Sequence, residues 1–221
     1  MFSLNESNLF ILSLTLSILF FSGLSFIGKF LIDFLKLRKS ISDVSNVKYQ
    51  YSIVGIIVIT FVIYPFYLFN IINILIIKLL SLSIIILGIV YIINNISFKF
   101  FIIKKFKSEY ILYNLILLCF ILISISPVTN ADSLDYHIGV PYYVLNNELY
   151  PNLKFWMHFT KSGAGEIFYT LPLSINAINV LGLTQISALL SISGVLLNNF
   201  KKELNSSYVL FFISCPVLIF L

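Results

Sequence analysis

Charged residues divide this chain into long stretches that contain none. Residues 7–28, 49–77, 79–98, 110–131, 167–200 and 204–221 carry no Asp, Glu, Lys or Arg. Within these stretches apolar residues run continuously instead of alternating, a helical pattern and not that of a barrel strand. A helix needs roughly 20 apolar residues to cross about 30 Å of hydrocarbon, so each stretch holds one crossing. The pattern predicts an all-α, multi-pass transmembrane protein with about six crossings. Residues 49–98 contain only Lys78, and as one helix they would extend about 75 Å at 1.5 Å per residue. That segment must double back, and Phe69-Asn70-Ile71-Ile72-Asn73 is the expected turn. Lys78 then lies near enough to a surface to extend its amine to headgroups, and Pro65 falls near the end of the preceding helix, where a kink is tolerated.

Composition closes the alternatives. The chain of 221 residues is 59% hydrophobic and 10% charged, with a mean hydropathy of +1.02. A soluble domain carries about 25% charged residues, and a disordered chain is polar. Cys119 and Cys215 sit inside apolar runs, so neither a disulfide framework nor a zinc-finger spacing is present. No lysine or arginine precedes the first run, so the first helix reads as retained and not as a cleaved signal peptide.

The net charge of +5 is distributed in a way that predicts orientation. Lys29, Lys36, Arg38, Lys39 and Lys48 fall in one connection, Lys99, Lys104, Lys105 and Lys107 in another, and Lys201 and Lys202 in a third. These connections alternate correctly with six crossings, so all three can face the cytoplasm of an inner or plasma membrane. The N-terminus and residues 129–166 are then extracytoplasmic. Topology accounts for the positive charge, and the partner it implies is the lipid bilayer, with no nucleic acid. The expected organisation is four transmembrane helices in 1–128, an extracytoplasmic loop in 129–166 and two further helices in 167–221, the last one ending inside its crossing.

Candidate chemistry gathers in that loop, which holds both histidines, His137 and His158, and four of the nine acids. Asn130 can cap a short helix from Ala131. At a period of 3.6 residues Asp132, Asp135, Tyr136 and Gly139 share one face, and Leu134 and Ile138 the other. The expectation is an amphipathic juxtamembrane helix lying on the membrane, acids toward water and aliphatics in lipid, with Pro141 ending it or starting the next. A helix N-terminus favours ionised Asp132, and a carboxylate there suits removal of a proton from a hydroxyl. Asp132 and Asp135 solvating an exposed loop is the plain alternative. Glu166 stands where the chain re-enters the membrane, a costly place unless it is paired or faces water. Close histidine spacing is absent, so no zinc site is assigned. A divalent Mg or Mn ion held by Asp132, Asp135 or Glu166 together with a phosphate is the one cofactor the acids would suit.

The string Ala131-Asp132-Ser133-Leu134-Asp135-Tyr136-His137, followed by Pro141, Tyr150-Pro151, Trp156 and Gly165-Glu166-Ile167-Phe168-Tyr169, resembles the first outer loop of GT-C-type membrane glycosyltransferases. These include the dolichyl-phosphate-mannose–protein mannosyltransferase and aminoarabinose transferase groups. The resemblance covers about Thr129 to Leu190. It implies transfer of a sugar from a polyprenyl-phosphate-linked donor to an acceptor on the extracytoplasmic face. It places Asp132 at the catalytic acidic position and Glu166 as the acid closing the loop. Asp135, Tyr136 and His137 would be its neighbours in the site. The candidate catalytic residues are therefore Asp132, Asp135 and Glu166, and the candidate substrate contacts are Tyr136, His137, His158 and Lys161. In that family the loop follows the first crossing, whereas three additional helices precede the one leading into it here. Family members are also longer, so the chain reads as an N-terminal fragment.

Two other functions fit the composition: a transporter, flippase or polymerase component of envelope polysaccharide assembly, or an inactive membrane fragment. A transporter would place ionisable groups near mid-membrane, and the uncharged runs hold only Lys78 between them. The topology itself is testable. A cysteine introduced at Ser162 is expected to react with an impermeant thiol reagent added from outside, and one at Ser40 is not; the reverse labelling would invert the orientation.

Overall fold

Helix α1 (Leu4–Phe34) is the hub of the structure. Its sequence is apolar on every side, as expected of a helix surrounded by lipid and other helices, and it packs against both α2 (Tyr51–Leu68) and α3 (Ile74–Asn95). The protein is described by a computed structural model over residues 4–35, 47–69, 71–95, 108–126, 133–151 and 163–199. A 3₁₀ turn at Val47–Gln50 leads into α2. Beyond α3 come α4 (Ser108–Ile125), a π-helical turn (Ser133–Ile138), α5 (Gly139–Asn147), α6 (Ala164–Leu173) and α7 (Val180–Asn199). The described residues are all-α. Three stretches among them, Asn8–Phe34, Lys48–Leu68 and Ile74–Asn95, are long and apolar enough to cross a membrane.

Glycine decides how α1 meets its neighbours. A Cβ on Gly23 would collide with the Ile84 carbonyl of α3, and one on Gly88 with the Leu19 carbonyl of α1. On another face of α1, Gly28 abuts the Tyr51 carbonyl and Gly55 abuts that of Leu24. Apolar side chains gain little by moving from lipid to protein, so helices in a membrane associate through close backbone contact at small residues. Both crossings of α1 use that device. Hydroxyls within the helices return to their own backbones, as in Ser22 to the Ile18 carbonyl and Thr60 to that of Ile56, which leaves no polar group facing hydrocarbon unpaired at those positions.

The doubling back falls where the pattern places it. Helix α2 ends at Leu68, and Asn73 caps α3 by accepting from the Leu75 amide at 2.8 Å. A second cap comes from far along the chain. Glu148, with a left-handed backbone (φ 53°) at the end of α5, accepts the Ile74 amide at 3.1 Å. A carboxylate is favoured at a helix N-terminus, and this contact fixes α5 against the turn between α2 and α3.

The stretch 167–200 departs from expectation. One crossing was expected there, and the chain instead forms α6 and α7 separated by residues 174–179. The physical reason is a Schellman closure. Asn176 takes a left-handed conformation (φ 59°), its amide donates to Leu173, and the Ala177 amide donates to Pro172. The expected crossing within 204–221 lies outside the described residues. The juxtamembrane helix is also realised differently. Pro141 sits in the first turn of α5, and of the two aliphatics expected in lipid Leu134 is exposed whereas Ile138 is buried inside the protein.

Helix α6 sinks between the spans. Phe168 meets Phe20 of α1 (centroids 6.3 Å apart), and Thr170 and Leu171 fill the gap between α2 and α3. The Tyr67 hydroxyl of α2 bonds Thr170 at 2.5 Å, and the Ser81 hydroxyl of α3 donates to the Leu171 carbonyl at 2.8 Å. Replacing Gly88 by Val is expected to force α1 and α3 apart and cost about 1–3 kcal/mol. Thermal unfolding in detergent reads this, and an unshifted midpoint would refute the close crossing.

Candidate functional site

Two segments far apart in sequence converge beside the first turn of α6. The π-helical turn Ser133–Ile138 carries Asp135 and His137, and α6 carries Glu166 at its third position. Wide turns of this kind are uncommon and recur at functional sites. The turn is anchored by Ile138, which is buried, and by Val140 and Val144 in the helix that continues it. His137 thereby projects toward α6.

The contact between the segments is an ion-pairing geometry. His137 Nδ1 lies 2.6 Å from Glu166 Oε1, and the side chains are 38% and 7% exposed respectively. The second oxygen, Oε2, accepts the backbone amide of Gly163. This is half of a capping box, because Gly163 has no side chain to return the bond. A buried carboxylate left alone would carry a desolvation penalty of several kcal/mol. An imidazole and a helix-start amide, one on each oxygen, supply the compensation.

The depth of the pair follows from its neighbours. Gly165 and Phe168 face the same cavity as Ile56, Thr60 and Tyr64 of α2. Those positions lie about one to three helical turns from Leu68, the end of that span. Irregular backbone at such a depth is tolerated only where protein buries it or it lines a cavity, and α6 meets that condition between α1, α2 and α3.

Other residues singled out by sequence fall as follows. Asp135 is half-buried on the same turn as His137. For Tyr136 only the backbone is described. Asp132, His158 and Lys161 lie outside the described residues. Among the described residues no three His, Cys, Asp or Glu side chains form a metal-holding group. Each Glu166 oxygen has one contact, Oε1 with His137 and Oε2 with the Gly163 amide.

The sequence offers His137 and Glu166 without pairing them, and it asks only that Glu166 be paired or face water. It did not identify the hydroxyls that hold α6, Tyr67 and Ser81, or the cap provided by Glu148. Tyr67 near a span end reads equally as an interfacial aromatic, and nothing local distinguishes the two roles. Glu166→Ala would orphan the Gly163 amide and release His137, a cost of about 1–3 kcal/mol. The expected outcome is faster amide exchange in 133–138 and 163–167 with α1–α3 unchanged, and equal exchange in wild type and variant would show that the pair holds nothing.

Comparison with known proteins adds a family assignment. No curated protein and no solved structure matches the chain. A family model described as the DUF1420 N-terminal domain matches residues 91–221, a region that begins in the last turns of α3 and takes in α4 and the whole candidate site. That match spans more than half of the sequence, and the chain belongs to the DUF1420 N-terminal domain family.

Proposed function

We propose that this protein is a membrane glycosyltransferase that moves a sugar from a polyprenyl-phosphate donor to an acceptor hydroxyl on the extracytoplasmic face. The observation that carries the reading is the Glu166–His137 contact at 2.6 Å. The resemblance includes the strings 131–137 and 165–169, and in this contact His137 of the first meets Glu166 of the second. A protein without chemistry there would have little reason to bury a carboxylate between transmembrane helices.

In this mechanism Asp132 takes the proton from the acceptor hydroxyl as general base. The oxygen forms a bond to the anomeric carbon, the bond from that carbon to the phosphate oxygen breaks, and polyprenyl phosphate leaves with the electron pair. The sugar is inverted. Lys161 is the side chain assigned to neutralise the departing phosphate, and a divalent cation, if held by Asp132 or Asp135, would supply the same charge. Glu166 and His137 are positioning residues that hold the Ser133–Ile138 turn, and Asp135 with it, against α6.

A second reading draws on the same pair. An ionisable couple recessed below the end of a span is what a proton pathway through a transporter would use. Charge placement favours the transferase, because the described charged residues of the three candidate spans, Lys29, Asp33, Lys48 and Lys78, lie toward their ends.

The deciding experiment measures radiolabelled sugar transfer from a polyprenyl-phosphate donor in membranes containing the protein. Asp132→Asn is expected to lower the rate by about 10²–10⁴-fold, the usual contribution of a general base, with membrane insertion intact. Glu166→Gln is expected to weaken transfer less and to leave its pH profile in place. Wild-type activity in the Asp132 variant removes the base, and proton uptake without sugar transfer would favour transport.

A further inference from the structure

Asn179 has no part in the chemistry described so far. It ends the connection that contains the left-handed Asn176 and stands immediately before α7. The residue is buried, and its carboxamide reaches two other helices. Its Nδ2 donates to the Ile125 carbonyl of α4 at 3.1 Å, and its Oδ1 accepts the Ser13 hydroxyl of α1 at 3.1 Å. A carbonyl can only accept, so the amide orientation is forced, with the nitrogen toward Ile125 and the oxygen toward Ser13. One side chain thus ties α1 and α4 to the start of α7.

The bond to Ile125 has a specific task. The last carbonyls of a helix have no partner within it, and Ile125 is the last residue of α4. Asn179 supplies that partner from another helix. Beside it, a Cβ on Gly182 would collide with the Ser124 carbonyl, so the backbones of α4 and α7 touch at this point. Among the described residues α4 meets the bundle chiefly along α7, and its Leu115, Leu118 and Leu122 are exposed. The place where α4 ends is therefore decided at Asn179 and Gly182.

That place bears on the candidate site. Residues 127–132 alone separate Ser126 from the π-helical turn, and Asp132 immediately precedes the turn in sequence. Ser124, Ile125 and Asn179 also line one cavity with Leu134 and Ile138 of the turn. The pair α6 and α7 acts on this segment at two points. Glu166 in the first turn of α6 contacts His137, and Asn179 before α7 holds the end of α4. We infer that Asn179 is a positioning residue for the candidate site: its bridge from Ser13 to Ile125 fixes the point from which the chain enters the turn carrying Asp135 and His137. The bridge stands on geometry alone, and its consequence for sugar transfer rests on the transferase reading.

The test uses the full chain in lipid nanodiscs, with Cys119→Ser and Cys215→Ser, and nitroxide labels on Leu134→Cys and Ile93→Cys. Leu134 is exposed on the turn and Ile93 is exposed near the end of α3, so the pair reads where the turn sits relative to the spans. Asn179→Asp keeps the shape and the acceptor for Ser13, but it removes the donor and sets a carboxylate oxygen against the Ile125 carbonyl. The label distance distribution is expected to broaden, and amide exchange in 133–138 to rise about tenfold, the scale of one lost buried bond, with α1–α3 unchanged. Ser13→Ala removes only the bond that orients the carboxamide and should raise exchange in 133–138 about threefold; it decides the matter if Asn179→Asp also loosens α1–α3. An unchanged distribution, with faster exchange confined to α4 and α7, would make Asn179 a local cap and overturn the inference. Wild-type exchange of 133–138 in Ser13→Ala would overturn it as well. Both readouts are taken without substrate, so a broadened distribution in a protein with no sugar transfer keeps the positioning role and removes the chemistry.

Discussion

The contact on which this structure depends is backbone against backbone, where α1 crosses α2 and α3 at glycines. Gly23 faces Gly88 on one side, and Gly28 faces Gly55 on another. Because the two contacts fall on different faces of α1, α2 and α3 are held apart from each other while both touch α1. The gap between them is what α6 fills. Had either crossing used ordinary side chains, α1 would stand farther from its neighbours, and Phe168 would lose its seat against Phe20. Van der Waals contact takes the place that the hydrophobic effect holds in water.

The site follows from that gap. Two hydroxyls, from Tyr67 and Ser81, hold α6 from opposite walls, and the helix start that results lies below the end of α2. The amide of Gly163 and the ring of His137 then make it possible to keep Glu166 buried. The Tyr67, Ser81 and His137 bonds each join α6 to a different element, and the Gly163 amide belongs to the start of α6 itself. Removing one leaves a buried donor or acceptor exposed to its full desolvation cost. A polar network of this kind is stable only when complete, so the π-helical turn, α6 and the spans form one mechanical unit.

Much of this arrangement could be read from the chain, and what escaped has identifiable reasons. The turn between α2 and α3 was legible because the apolar run was too long for one crossing and because Asn73 is a good cap. Glu166 was legible as a residue that must be paired or face water, since a carboxylate within an apolar region is costly. The break in 167–200 was not read, although Asn176 carries the signal: asparagine is one of the few residues that adopts the left-handed conformation readily. The pairing of His137 with Glu166 has no local signal at all, because 29 residues separate them and their approach depends on how α6 docks.

The sequence by itself determined that the protein is helical and belongs in a membrane, because the balance between apolar and charged residues acts through solvation and needs no knowledge of contacts. It also concentrated both histidines and four of the nine acids in residues 129–166. Tertiary structure alone decided which carboxylate is buried, what neutralises it and where a cavity opens beside it. Those outcomes depend on distances between elements, and the distances are set by glycines whose meaning appears only when the facing helix is in place.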